Sequence, residues 1–203
     1  MRIHEILENT TKQFPIPLET PDLDMSKSAR LQRAKQMGFD TASVYYHGTE
    51  QSFKSFDPYK SNSATNTGTP TGSLVLSSNP SVSATYAGAE PNLSGEITSF
   101  KQGGNVMPLY IKPGKSMVID AKGANWNDIY NKAYPDLETT NDFAAFAQSK
   151  GKDTLFIKNV LDNKTWQKDK TPSTVIFVFH PSYVRSVNAK FDLANSEDED
   201  LMA

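Results

Sequence analysis

No apolar run in this chain exceeds five residues, a length that Val175-Ile176-Phe177-Val178-Phe179 reaches. A spanning helix needs roughly 20 apolar residues in succession, so a transmembrane helix is excluded. A short run of β-branched and aromatic residues fits a buried strand instead. The 203 residues include 21 aromatics, too many for a wholly disordered chain. That length suggests one domain that buries its own core without cross-links. Cross-links of the usual kind are unavailable, because cysteine is absent. Disulfide scaffolds, thiol nucleophiles and thiolate metal sites are therefore excluded. With only His4, His47 and His180, a zinc site would rely mostly on carboxylates, and no metal is expected. Lys and Arg number 21 against 23 Asp and Glu, so the chain gives no strong nucleic-acid signal. Met1–Leu7 carries an early acid and no apolar core, so export by a signal peptide is not expected.

Turn and cap signals divide the rest. Residues 1–25, with Pro15, Pro17 and Pro21, read as an N-terminal arm or linker. Residues 26–37 predict a helix, capped by Ser26 or Ser28 and followed by Gly38, with Leu31, Ala34 and Met37 near one face. Residues 43–47 and 74–76 read as strands. Between them, the Ser/Thr/Asn/Gly stretch around 60–72 reads as a loop expected to rest over a site and order with ligand. Pro80 opens a short helix that Gly88 ends. Strands follow at 106–111, 117–119, 155–160 and 175–179. Helices are expected at 126–133 and at 140–150, the second capped near Thr140. Residues 189–203 hold the acidic run Glu197-Asp198-Glu199-Asp200 and read as a solvated tail. Strands and helices mix without regular βαβ alternation. That order predicts an α+β fold with a split, two-sheet, mainly antiparallel core and short helices over residues 26–188.

Phosphate-loop, zinc-protease and serine-hydrolase motifs are absent from the sequence. Two segments stand out instead. Tyr45-Tyr46-His47-Gly48-Thr49 ends a strand on His-Gly. From Gly72 a strand then leads into the Pro80 helix, which carries Ser81-Val82-Ser83-Ala84-Thr85-Tyr86. Ser83 and Tyr86, at i and i+3, share a helix face.

This pair resembles the ADP-ribosyltransferase fold of the poly(ADP-ribose)-polymerase and diphtheria-toxin group. The likeness is nearest to the domains found in polyvalent proteins of phages and mobile elements. Residues 28–49, 105–120, 151–162 and 175–186 extend it, so that it covers roughly residues 28–188. The resemblance implies NAD as a substrate, held by His47, Gly48, Thr49, Ser83 and Tyr86. In such a site the main-chain N–H and C=O at Gly48 pair with the nicotinamide carboxamide, and Ser83 bonds the same carboxamide. His47, also the candidate catalytic residue, bonds a ribose hydroxyl, and Tyr86 stacks on the nicotinamide ring. The resemblance also implies a host protein as acceptor, virion proteins as further partners, no membrane, and a place in the host cytoplasm or virion.

The sequence departs from the group at two positions. A Tyr of the second strand and a Glu of the last core strand align with Val75 and with Val175, give or take one residue. A carboxylate supports the cation-like transition state in such enzymes, and valine cannot. Two readings therefore stand side by side. One is a mono-ADP-ribosyltransferase acting on a host macromolecule. The other is a catalytically degenerate NAD- or ADP-ribose-binding or virion-associated protein of the same fold. Glu90, Glu96, Asp153 and Asp162 are acids that could replace the missing one, and the sequence brings none of them to the site.

Overall fold

Ser26 stops the chain from entering its first helix without a cap. The computed structural model describes residues 22–57, 72–92, 96–162 and 171–203. Ser26 Oγ accepts from the amide of Ala29, and helix α1 runs Lys27–Gln36. Gly38, at φ +84°, turns the chain out of the helix into strand β1, Asp40–Thr49. Ala34 and Met37 bury the apolar side of α1 against Phe39, Tyr110 and Phe191. The expected arm falls outside the described residues up to residue 21, and the expected loop does so up to residue 71.

Strand β2, Leu74–Ser77, leads into helix α2, Pro80–Tyr86. Asn79 caps α2 by accepting from the Ser81 amide, Pro80 takes its first turn, and Gly88 follows at φ +68°. A small hairpin comes next, from β3 (Ala89–Pro91) and β4 (Ile97–Phe100). The chain continues through β5 (Asn105–Ile111), β6 (Ser116–Asp120), α3 (Thr140–Ser149), β7 (Thr154–Val160), β8 (Ser173–Val178) and β9 (Val184–Ser186). The larger sheet has the order β6-β7-β8-β2-β1-β5-β9, and among the described strands only β6 and β7 pair in parallel.

The two sheets expected from sequence are this seven-stranded sheet and the β3–β4 hairpin, and the larger sheet is most thinly joined between β1 and β2. Those two strands share one register pair, Tyr46 with Ser77, whereas β1 and β5 share six and β2 and β8 share four. Strand β8 is buried on both faces, as its unbroken apolar run implies. Val175 and Phe177 pack with α3 residues Phe143, Ala144 and Ala147. Ile176 and Val178 pack on the other side with Leu74, Leu109 and Ile111.

Three expectations need correction. Residues 126–133 form turns, not a helix. An Asn side chain competes there for the backbone. Asn131 accepts from the Ala133 amide, and the Ile129 amide crosses to the Glu138 carbonyl. Helix α3 is capped by Thr139, one residue earlier than expected, in a reciprocal capping box with Asp142. The C-terminal stretch is docked rather than solvated. Phe191 and Leu201 are buried, and main-chain bonds tie Ser186 to Leu201 and Leu201 to Lys54.

The docked stretch covers Arg185, which is 0% exposed. Its guanidinium donates to the carbonyls of Val184 and Asp198, while Nε has no partner among the described residues. Burial pulls its pKa down, and the charges of Asp198, Asp200, Glu197 and Glu199 oppose that shift. The acidic run therefore sits where a buried cation needs negative charge.

Candidate functional site

The end of β1 is shaped by a proline on its neighbour. Antiparallel ladders alternate hydrogen-bonded and non-hydrogen-bonded pairs. Tyr46 faces Pro108, which has no N–H to exchange, so that pair is non-hydrogen-bonded. His47 with Met107 is then a hydrogen-bonded pair, and Gly48 with Val106 is not. The N–H and C=O of Gly48 therefore point away from β5, towards the side where the β1–β2 ladder has already ended at Tyr46. A donor and an acceptor thus stand side by side on one extended residue.

Helix α2 seats against this strand end. A Cβ added to Gly48 would lie 1.7 Å from the Ser83 carbonyl oxygen and 3.1 Å from the Ala87 nitrogen. The side of Gly48 that a side chain would occupy is thus filled by helix backbone. Glycine is needed at this position for the helix to approach. Ser83 is buried and donates through Oγ to the Tyr46 carbonyl at 2.8 Å. Its hydroxyl hydrogen is therefore committed to holding α2 on β1.

His47 Nδ1 lies 2.8 Å from the Val75 carbonyl oxygen. A carbonyl only accepts, so Nδ1 carries the proton and Nε2 of the neutral ring is an acceptor. Burial holds the imidazole pKa below its usual value, and the Val75 carbonyl partly opposes that shift. The ring also meets Phe53 edge-on at 5.8 Å between centroids. Thr49 turns back on itself. Its hydroxyl donates to the Gln51 carbonyl and accepts from the Gln51 amide, which closes the strand.

Tyr86, 36% exposed, ends α2. Its hydroxyl donates to Asp162 Oδ1 at 2.8 Å. Burial first, then the adjacent negative charge, pushes the phenol well above its usual pKa, so it stays protonated. Beside it, Glu50 rests against Gly88 and forms an exposed ion pair with Lys101 at 3.8 Å.

Of the predicted site residues, the structure brings Gly48 against Ser83 of the helix that also carries Tyr86, while His47 and Thr49 bond to Val75 and Gln51. The two valines are elsewhere employed. Val175 is 3% exposed in the core beneath α3, and Val75 packs on the same cluster. Of the four acids weighed as replacements, three bond to residues outside this group. Glu90 accepts from Ser99, Glu96 from Asn92, and Asp153 from the Lys115 amide. Asp162 alone among them bonds a candidate site residue. The sequence signalled only that Asp162 lies just past a strand; its contact with Tyr86 spans 76 residues. Among the described residues, no group of three or more His, Asp or Glu is placed to hold a metal ion. No helix of the described residues is long and apolar enough to cross a membrane.

No curated protein and no solved structure gives a significant match to the chain. Residues 26–192, well over half of the sequence, match the family model described as ADP-Ribosyltransferase in polyvalent proteins. That span contains every element from α1 to β9, together with the paired strand end and helix. The chain belongs to the family of ADP-ribosyltransferases in polyvalent proteins.

Proposed function

We propose that the protein binds NAD at the end of β1 and transfers its ADP-ribosyl group to a protein of the host cell. The observation that carries this reading is the orientation of Gly48. Its main-chain N–H and C=O point to the open side of β1, beside the helix that bears Tyr86. A carboxamide needs one acceptor for its N–H and one donor for its C=O, and Gly48 supplies both. The neutral His47 supplies an acceptor at Nε2 for a ribose hydroxyl. The Tyr86 ring offers a π face to a cationic pyridinium.

In the transfer, the bond between ribose C1′ and the nicotinamide nitrogen breaks, and its electron pair leaves with nicotinamide. A nucleophile of the acceptor bonds to C1′ and gives up a proton. The test is incubation of the full chain with NAD labelled in the adenylate moiety and a host lysate, beside a His47→Ala variant. The expected result is label on an acceptor protein, together with released nicotinamide, in the wild-type reaction only. Equal labelling by the variant would overturn the reading.

Val75 and Val175 favour a second reading, in which NAD is held but turned over slowly. An apolar pair at those positions leaves the cation-like transition state without a carboxylate from either strand. In that case NAD binds, and nicotinamide release stays at the rate of the His47→Ala control.

A further inference from the structure

Asp162 follows Leu161, which bridges to Asn125 just past the end of β7. The far half of the sheet thus delivers a carboxylate to the helix that flanks Gly48. There it accepts from the Tyr86 hydroxyl at 2.8 Å. A hydrogen bond to a carboxylate is shorter and stronger than one to a neutral acceptor, so it fixes the phenol ring in orientation. It also leaves a negative charge at the ring's edge, where it adds to the attraction between the ring face and a cation.

We propose that Asp162, acting through Tyr86, is a positioning residue that makes the site select the cationic, oxidised nicotinamide over the neutral dihydronicotinamide. This rests on the reading of Tyr86 as the platform for the nicotinamide ring. The two forms of the dinucleotide share the carboxamide, both riboses and both phosphates. Gly48 and His47 therefore meet the same groups in each. The forms differ in the charge of the ring that lies on Tyr86, so a charge held behind Tyr86 acts on that difference. Selection of this kind keeps the reduced dinucleotide, which has no cationic leaving group to expel, from occupying the site.

The experiment is calorimetric titration of the full chain with NAD+ and separately with NADH, for the wild type, Asp162→Asn, Tyr86→Phe and the double variant. Asparagine keeps an oxygen that accepts from the phenol but removes the charge. Phenylalanine keeps the ring but removes the link. The wild type is expected to prefer the oxidised form by about fivefold or more. Each single variant is expected to lower that ratio about threefold, leaving the preference that the ring face alone supplies, with no further loss in the double variant, because the two residues act as one unit. Thermal melts of the same proteins report the structural share of the contact. Suppose Asp162→Asn lowers the melting temperature yet keeps the wild-type ratio. Asp162 is then only a clasp between strand end and helix, and the proposal fails. A wild-type ratio near one, with NAD+ still bound, also overturns it and leaves the NAD site standing. If the wild type binds neither form, the site reading itself is wrong and this inference falls with it.

Discussion

A single carbonyl decides how His47 can act. Val75 accepts from Nδ1, so the ring keeps one tautomer as long as it is neutral. Burial keeps it neutral by lowering its pKa below the usual 6.5. The sign of the pH effect follows. Above about pH 6.5 the ring is neutral in both folded and unfolded chains and contributes no pH dependence. Below that value the unfolded chain takes up a proton that the folded one resists, so stability falls as the pH drops towards the lower folded pKa. Urea unfolding of the wild type between pH 7.5 and 5 should show this loss. A His47→Gln variant should lose less stability over the same range, and identical slopes would remove His47 from the account. The sequence singled out His47 and its neighbours as candidates through the His-Gly pair at a strand end. It offered Asp162 only as one of four acids and gave no sign of its bond to Tyr86, because a contact between a strand end and a helix 76 residues away leaves no local pattern.

At the level of elements, α2 is held on β1 by two features that serve each other. Gly48 has no side chain, so the helix backbone comes close, and Ser83 then reaches the Tyr46 carbonyl. Ser83→Ala removes the donor and leaves that carbonyl in a buried setting. The expected cost is about 1–3 kcal/mol of unfolding free energy, measured by denaturant titration. A change within error would mean that solvent reaches the carbonyl. The longer elements were legible because caps and periodicity agree with the tertiary fold. Ser26 and Gly38 bound α1, and the apolar run of β8 announces burial on both faces. Strands β3, β4 and β9, with three or four residues each, are too short to carry a period. The 126–133 stretch misled for a different reason. Ile129 is buried as a helix face would bury it, but the Asn131 side chain and the crossing bond from the Ile129 amide to Glu138 hold the backbone in turns.

Across the whole molecule, the C-terminal stretch completes the core around Arg185. The acidic composition of that stretch hid its role. Its main-chain carbonyl at Asp198 and the apolar side chain of Leu201 make the contacts, while most of the acids face outward. Leu201, 4% exposed, packs with Phe56, Leu109 and Val184. Leu201→Ala is expected to cost about 2–4 kcal/mol, the usual range for a buried leucine. A solvated tail would instead predict a change within about 0.5 kcal/mol. Thermal unfolding of the full chain separates the two.

The proposed NAD site is formed by the end of β1 together with helix α2. The most direct measurement is calorimetric titration of NAD into the wild type and into Tyr86→Ala. Saturable one-to-one binding is expected of the wild type, with an affinity weaker by roughly 1–2 kcal/mol in the variant, the scale of a desolvated cation–π contact. Wild-type binding no tighter than that of a His47→Ala, Tyr86→Ala double variant would contradict it.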